Sequence, residues 1–219
     1  MTKPEDILIQ YPAKNKAEKQ AFLESVQKYV QSLGYLSIME KDRYLVIGNM
    51  QQAKFFVISG TALSGLSAWL EMIHTFPENQ RHKVCFVFCD GRRGLSSLYR
   101  TYGREIANRL VIHLHHVGDG NHLRLFPTKQ LKENRLRLTS LYRGCGYFGP
   151  RDLLVSEEKI PRCLKPYVCF PYAVTICALY THKKHFRHNH KTKNTALDTT
   201  NVNILRAALT TFLCCDEVN

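Results

Sequence analysis

No stretch of this sequence reaches the roughly 20 consecutive apolar residues that a membrane-spanning helix requires. Its opening, Met1-Thr2-Lys3-Pro4-Glu5-Asp6, lacks the basic-then-apolar order of a secretory leader. Cys-x-x-Cys pairs, internal repeats, low-complexity segments and an interdomain linker are also missing. These absences argue against a membrane protein, an exported protein, a Cys-x-x-Cys zinc or redox site, and a solenoid. Residues 144–150 have glycine-loop character but no following Lys-Ser/Thr, so they are not a phosphate-cradling P-loop. The eight cysteines are scattered, with Cys85 and Cys89 inside an apolar run and Cys214 and Cys215 adjacent. That scatter is expected of reduced, partly buried thiols in a cytoplasmic protein, not of a disulfide frame.

What is present suits one globular domain spanning residues 1–219, since 44% of the residues are hydrophobic and 22% charged. The formal net charge of +13 is unevenly placed. Lys+Arg against Asp+Glu is 8 to 8 over residues 1–80, 13 to 4 over 81–143, and 10 to 6 over 144–219. A solvated surface accounts for such an excess. A one-sided basic field also recruits anions, nucleic acid or acidic partners.

Apolar periodicity predicts helices over 14–33, 63–75, about 95–107 and 201–214, with helix-forming composition over 128–142. Leu63, Leu66, Leu70 and Ile73 fall on one side of the second helix. Strands are predicted at 35–39, 43–48, 54–59, 83–89, 109–115, 122–126 and 173–179, while 144–172 reads as loop. The 83–89 run is almost continuously apolar, as for a strand covered on both faces. Gly118-Asp119-Gly120 reads as a hairpin turn between two strands. Alternating strands and helices imply an α/β fold with helices on both faces of the sheet.

Six segments, in order, resemble the two-zinc aminopeptidases, the family of aminopeptidase Y and bacterial leucyl aminopeptidase. They are Tyr11-Pro12 with the first helix and Leu33-Gly34-Tyr35, Tyr44-Leu45-Val46-Ile47-Gly48-Asn49, Ser64-Gly65-Leu66 with the helix it starts, Phe86-Val87-Phe88-Cys89-Asp90-Gly91, Leu114-His115-His116-Val117-Gly118-Asp119-Gly120, and His190-Lys191-Thr192-Lys193-Asn194-Thr195. The resemblance implies a three-layer α/β/α sandwich with a mixed, mostly parallel sheet. In the family, carboxylates and imidazoles hold two zinc ions and a glutamate serves as general base.

This sequence departs from that pattern at most of the positions concerned. The loop that carries the family's first His-x-Asp is missing, because Gly60 leads straight into Thr61-Ala62-Leu63. Thr61 falls where a bridging aspartate is expected, and a neutral hydroxyl is a poor zinc ligand. Arg92 and Arg93 stand where the family has the glutamate base and a glutamate ligand. A guanidinium accepts no proton and offers no lone pair. A dication about 5 Å from one arginine costs roughly 6 kcal/mol at an effective dielectric of about 20. His115 takes the place of a ligand aspartate, His190 matches the terminal histidine ligand, and Asn194 replaces the aspartate four residues on.

The expectation is therefore a non-catalytic, peptidase-like protein without bound catalytic zinc. Its vestigial pocket would be lined by Thr61, Arg92, Arg93, His115 and His190. Arg92 and Arg93 would favour a small carboxylate- or phosphate-bearing ligand. His115 and His190 are the weak candidates for an adventitious metal. Rival expectations are a residual zinc-dependent hydrolase, a basic nucleic-acid binder, and a structural partner in a homo-oligomer or beside an active homologue. His182, His185, His188 and His190, set among lysines and arginine, read as an exposed polar loop before a metal patch. His113 and His115 share one face of a strand, so they line the pocket together or sit in the core.

Overall fold

Alternate side chains along each strand point to opposite faces of a sheet, and here both sets are apolar. Leu45, Ile47, Phe55, Val57, Phe86, Phe88, Ile112 and Leu114 join one buried cluster, while Tyr44, Val46, Phe56, Ile58, Cys85, Val87, Cys89 and Val111 join another. A sheet with two apolar faces is stable in water only when both are covered. The computed structural model, which describes residues 3–11, 15–40, 43–118, 122–134, 153–155, 169–179 and 199–214, shows that arrangement.

The helices are α1 (Pro4–Leu8), α2 (Lys16–Ser32), α3 (Leu63–Thr75), α4 (Gly91–Ile106), α5 (Lys129–Glu133) and α6 (Thr199–Cys214). The strands are β1 (Ser37–Glu40), β2 (Tyr44–Ile47), β3 (Phe55–Ser59), β4 (Val84–Cys89), β5 (Leu110–Leu114), β6 (His122–Pro127), β7 (Leu153–Val155) and β8 (Ala173–Leu179). They form one eight-stranded sheet in the order β1-β2-β4-β3-β5-β8-β6-β7. The pairs β4–β3, β3–β5, β5–β8 and β6–β7 are parallel, and β1–β2, β2–β4 and β8–β6 antiparallel. The mixed, mostly parallel α/β/α expectation holds.

One face carries α2, α3 and α6. Phe22, Val26 and Val30 of α2, Leu66, Trp69, Leu70 and Ile73 of α3, and Leu205, Leu209 and Phe212 of α6 share the larger cluster. Leu63, assigned by periodicity to the same side of α3, is instead 40% exposed, because the helix begins at the sheet's rim. Asn15 caps α2 by accepting a hydrogen bond from the Glu18 backbone N–H at 2.9 Å. The Trp69 indole donates to the Val57 carbonyl of β3 at 3.0 Å, pinning α3 to the centre of the sheet. Arg206 pairs with Glu71 at 3.7 Å between α6 and α3, and Lys83 donates to the Cys214 carbonyl at the end of α6. The opposite face carries α4 through Leu95 and Leu98.

Three expectations are corrected. The 95–107 helix starts four residues early, at Gly91, because that residue takes φ +57° and turns the chain directly from β4 into α4. Gly118-Asp119-Gly120 does not close a hairpin, because β8 lies between β5 and β6. β7 falls within the 144–172 stretch read as loop. The helix-forming composition of 128–142 yields α5 at Lys129–Glu133, and residues 135–142 lie outside the described residues, as do the His182–His190 stretch and the 144–150 glycine segment. Among the described residues, no helix is long and apolar enough to cross a membrane, and the thiols of Cys85, Cys89 and Cys169 are free. Burial pushes the Cys85 thiol up to about 12 and Cys89 further, so neither is a nucleophile near neutral pH.

Candidate functional site

Functional groups in open parallel sheets gather beyond the carboxyl ends of the strands. Here the register puts Ser59 of β3 level with Phe88 of β4 and with Leu114 of β5. Gly60-Thr61, Cys89-Asp90 and His115-His116 therefore leave the sheet side by side. The sheet thus gathers at one rim the segments that carry Thr61, Arg92 and Arg93, and His115. His190 lies outside the described residues.

Thr61 is exposed at the end of β3, just ahead of α3, and its side chain lies near the Tyr11 hydroxyl, whose ionised form it favours. Tyr11 follows α1 and lies 5.1 Å, centroid to centroid, from Phe22 of α2. Burial, opposed by the nearby Thr61 hydroxyl and reinforced by the negative charge of Asp90, raises the Tyr11 hydroxyl to about 12. Asp90 follows β4 at the N-cap position of α4 but makes no capping bond with its side chain. Both carboxylate oxygens instead accept from the Lys19 ammonium of α2, at 2.8 and 3.1 Å. Arg92 and Arg93 occupy the first turn of α4, and both are exposed.

His115 is half-buried, and its backbone N–H donates to the Ile176 carbonyl of β8 at 3.0 Å. Its ring lies 5.4 Å from that of His113 and 4.4 Å from that of His116. His113 does share the face of His115, as its register predicts, but it is a core residue. It is fully buried, with Nδ1 3.3 Å from the Thr175 hydroxyl of β8. Burial, reinforced by the neighbouring His115 and His116, holds its imidazole well below the usual histidine range, so it stays neutral. His116 takes φ +44°, a left-handed conformation that is uncommon outside glycine. Among the described residues, no three His, Cys, Asp or Glu side chains are gathered so as to hold a metal ion.

Sequence reasoning missed Tyr11 and Lys19 as site residues, and it read Asp90 only as part of a strand-end motif. No local pattern marks Lys19 among the lysines of α2. Only the packing of α2 over the rim places it on Asp90.

The site and its supports carry a pH dependence. The hydroxyls of Tyr11, Tyr29 and Tyr35 are all raised to about 12, chiefly by burial. Tyr29 lies 2.7 Å from Nδ1 of His74, and Tyr35 donates to the Ile73 carbonyl at 3.0 Å. Unfolded tyrosine titrates near 10, so between about 10 and 12 the folded chain keeps protons that the unfolded chain has lost. The resulting stabilisation is fully present below about pH 10 and is lost as pH rises toward 12. Tyrosinate absorbance recorded with circular dichroism is expected to show these hydroxyls ionising only as the fold is lost. Ionisation of all tyrosines near 10 with the fold intact would contradict it.

No family model matches this chain in sequence, and no curated protein sequence does. Solved structures do match in shape. A glutaminyl cyclase of Porphyromonas gingivalis superposes with a TM-score of 0.74 at 11% identity, over 96% of this chain and 94% of that one. A leucine aminopeptidase precursor from Bacteroides thetaiotaomicron gives 0.69 at 10% identity, over 98% and 95%. A Zn-dependent exopeptidase from Parabacteroides distasonis gives 0.67 at 10% identity, over 96% and 95%. At these identities the likeness is one of fold, and the chain has the α/β architecture of these exopeptidases, aminopeptidases and glutaminyl cyclases.

Proposed function

We propose that this chain is a non-catalytic protein on the peptidase-like fold, with a basic rim that binds a small anionic ligand. The observation that carries the reading is the ion pair between Lys19 and Asp90, beside the exposed Arg92 and Arg93. A metal ion bound at this rim needs carboxylate or imidazole lone pairs free to face it. The Asp90 carboxylate is engaged by an ammonium, and the Thr61 side chain offers only a neutral hydroxyl. Arg92 and Arg93, two and three residues past Asp90, are permanent cations, which repel a dication and cannot take a proton from water. Thr61, Asp90, Arg92 and Arg93 do not fit a two-zinc site. The same charges favour carboxylate or phosphate, which guanidinium binds through paired hydrogen bonds.

Two measurements on the purified protein test this together. After incubation with zinc and removal of excess, elemental analysis is expected to find well below one zinc per chain. Turnover of an aminoacyl p-nitroanilide, and of a peptide with amino-terminal glutamine, is expected to stay at background. Stoichiometric zinc with measurable turnover would establish the residual hydrolase instead. The ligand half is read from thermal unfolding in inorganic phosphate or a dicarboxylate. A rise in midpoint that disappears in the Arg92→Gln/Arg93→Gln double variant is expected, since a ligand that binds only the folded chain stabilises it. No rise with either anion would count against a basic binding rim.

A further inference from the structure

We propose that the solvent face of α4 binds the phosphate backbone of nucleic acid. This goes beyond the rim just described and does not depend on the loss of zinc chemistry. At 100° per residue, Arg92, Arg93, Arg100 and Arg104 fall within an arc of about 120°, with Ser96 and Gly103 between them. The buried positions Leu95, Leu98 and Ile106 fall outside that arc, with Leu98 directly opposite its centre. All four arginines are exposed, and among the described residues no carboxylate pairs with any of them. Asp90, the acid nearest to Arg92 in the chain, is already neutralised by Lys19. Glu105, the one acid on α4, falls about 100° outside the arc. Arg43 widens the patch, since its guanidinium donates to the Ser97 hydroxyl on the flank of α4 at 3.4 Å.

Arg92 and Arg104 are twelve residues apart, so the row runs about 18 Å along the helix. That length spans about five phosphates of one duplex strand, at 3.4 Å per phosphate. Arg92 and Arg93 also sit in the first turn, where the helix dipole opposes positive charge. A phosphate placed there relieves that cost. Anionic lipid fits less well, because the arc holds no large apolar side chain to enter a bilayer. Tyr99, at its border, packs edge-on to Phe170 at 5.5 Å. An acidic protein partner fits less well for a related reason, because stable protein interfaces centre on buried apolar or aromatic anchors. The four cations are arginine with no lysine, which suits paired hydrogen bonds to phosphate.

The test is fluorescence anisotropy with labelled mixed-sequence oligonucleotides of about 20 nucleotides, single-stranded and duplex. With four phosphate contacts, affinity between 50 and 200 mM salt is expected to fall about 150-fold for duplex and about 50-fold for single strands. Arg100→Gln/Arg104→Gln, two turns or more from the strand ends, is expected to cut the duplex fall to about 12-fold. Arg100→Lys/Arg104→Lys, which keeps the charge, is expected to retain the wild-type salt slope. Lys28→Gln/Lys129→Gln, on exposed residues of other helices, is expected to change nothing. Circular dichroism melts confirm that each variant folds. Any of three results overturns the proposal: no binding of either oligonucleotide at 50 mM salt, a slope unmoved by Arg100→Gln/Arg104→Gln, or binding only to phosphatidylserine-containing vesicles. Loss of the phosphate response of Arg92 and Arg93 with this slope intact would instead sink the small-ligand reading alone.

Discussion

Gly94→Ala is expected to cost about 3 kcal/mol or more, the upper range of overpacking effects. A Cβ at position 94 would overlap the carbonyl oxygen of Arg43, and its next contacts are the Arg43 and Cys89 carbonyl carbons. These are backbone atoms, so no side-chain rotation relieves the overlap. The same carbonyl accepts from the Asp90 backbone N–H at 2.8 Å, which fixes the turn between β4 and α4. Moving Arg43 away would break that bond, and tilting α4 outward would open the contacts of Leu95 and Leu98. Most domains have only about 5–15 kcal/mol of stability to lose. The urea midpoint is therefore expected to drop strongly, and the Lys19–Asp90 pair to loosen with it. A midpoint equal to wild type would show that α4 can shift freely, and the description of this turn would be wrong. Ser97→Ala, one turn on, removes only a long hydrogen bond to Arg43 and is the mild control.

Gly94 also illustrates how unevenly this fold can be read from sequence. Period-3.6 spacing of Phe22, Val26 and Val30, or of Leu66, Leu70 and Ile73, is a local signal that survives without knowledge of partners. The continuous apolar runs of β3 and β4 are equally local, because a strand covered on both faces needs no polar alternation. Two of the misreadings concern partners distant in the chain. Gly118-Asp119-Gly120 has hairpin chemistry, yet β8, more than fifty residues later, pairs with both β5 and β6. The three residues of β7 are too few to show a period and depend on parallel pairing with β6. The site divides in the same way. Thr61, Arg92, Arg93 and His115 were found because each follows a recognisable strand end. Lys19 and Asp90, 71 residues apart, meet only because α2 crosses the rim, and no spacing rule encodes that meeting.

Trp69→Ala is expected to have the second large effect, about 3–5 kcal/mol, as for aromatic truncations in other cores. Trp69 is fully buried and lies 6.5 Å from Phe86 and 6.4 Å from Phe88, centroid to centroid, so its loss leaves a cavity against β4. Its indole N–H also donates to the Val57 carbonyl, so the variant removes a directional tie between α3 and β3 as well as volume. Trp69→Phe separates the two contributions, because it keeps most of the ring and loses the donor. About 1–2 kcal/mol is expected for that variant, near the net value of one hydrogen bond plus a small void. Chemical denaturation of the two variants gives both figures. Equal losses would mean that the N–H···O bond carries most of the effect. The comparison also bears on function, because α3 begins two residues after Thr61 and its packing sets where that hydroxyl stands relative to Tyr11. Trp69→Ala is nonetheless expected to leave both the phosphate-induced rise in unfolding midpoint and the salt slope unchanged, because both belong to the α4 arginines, which project from the opposite face of the sheet.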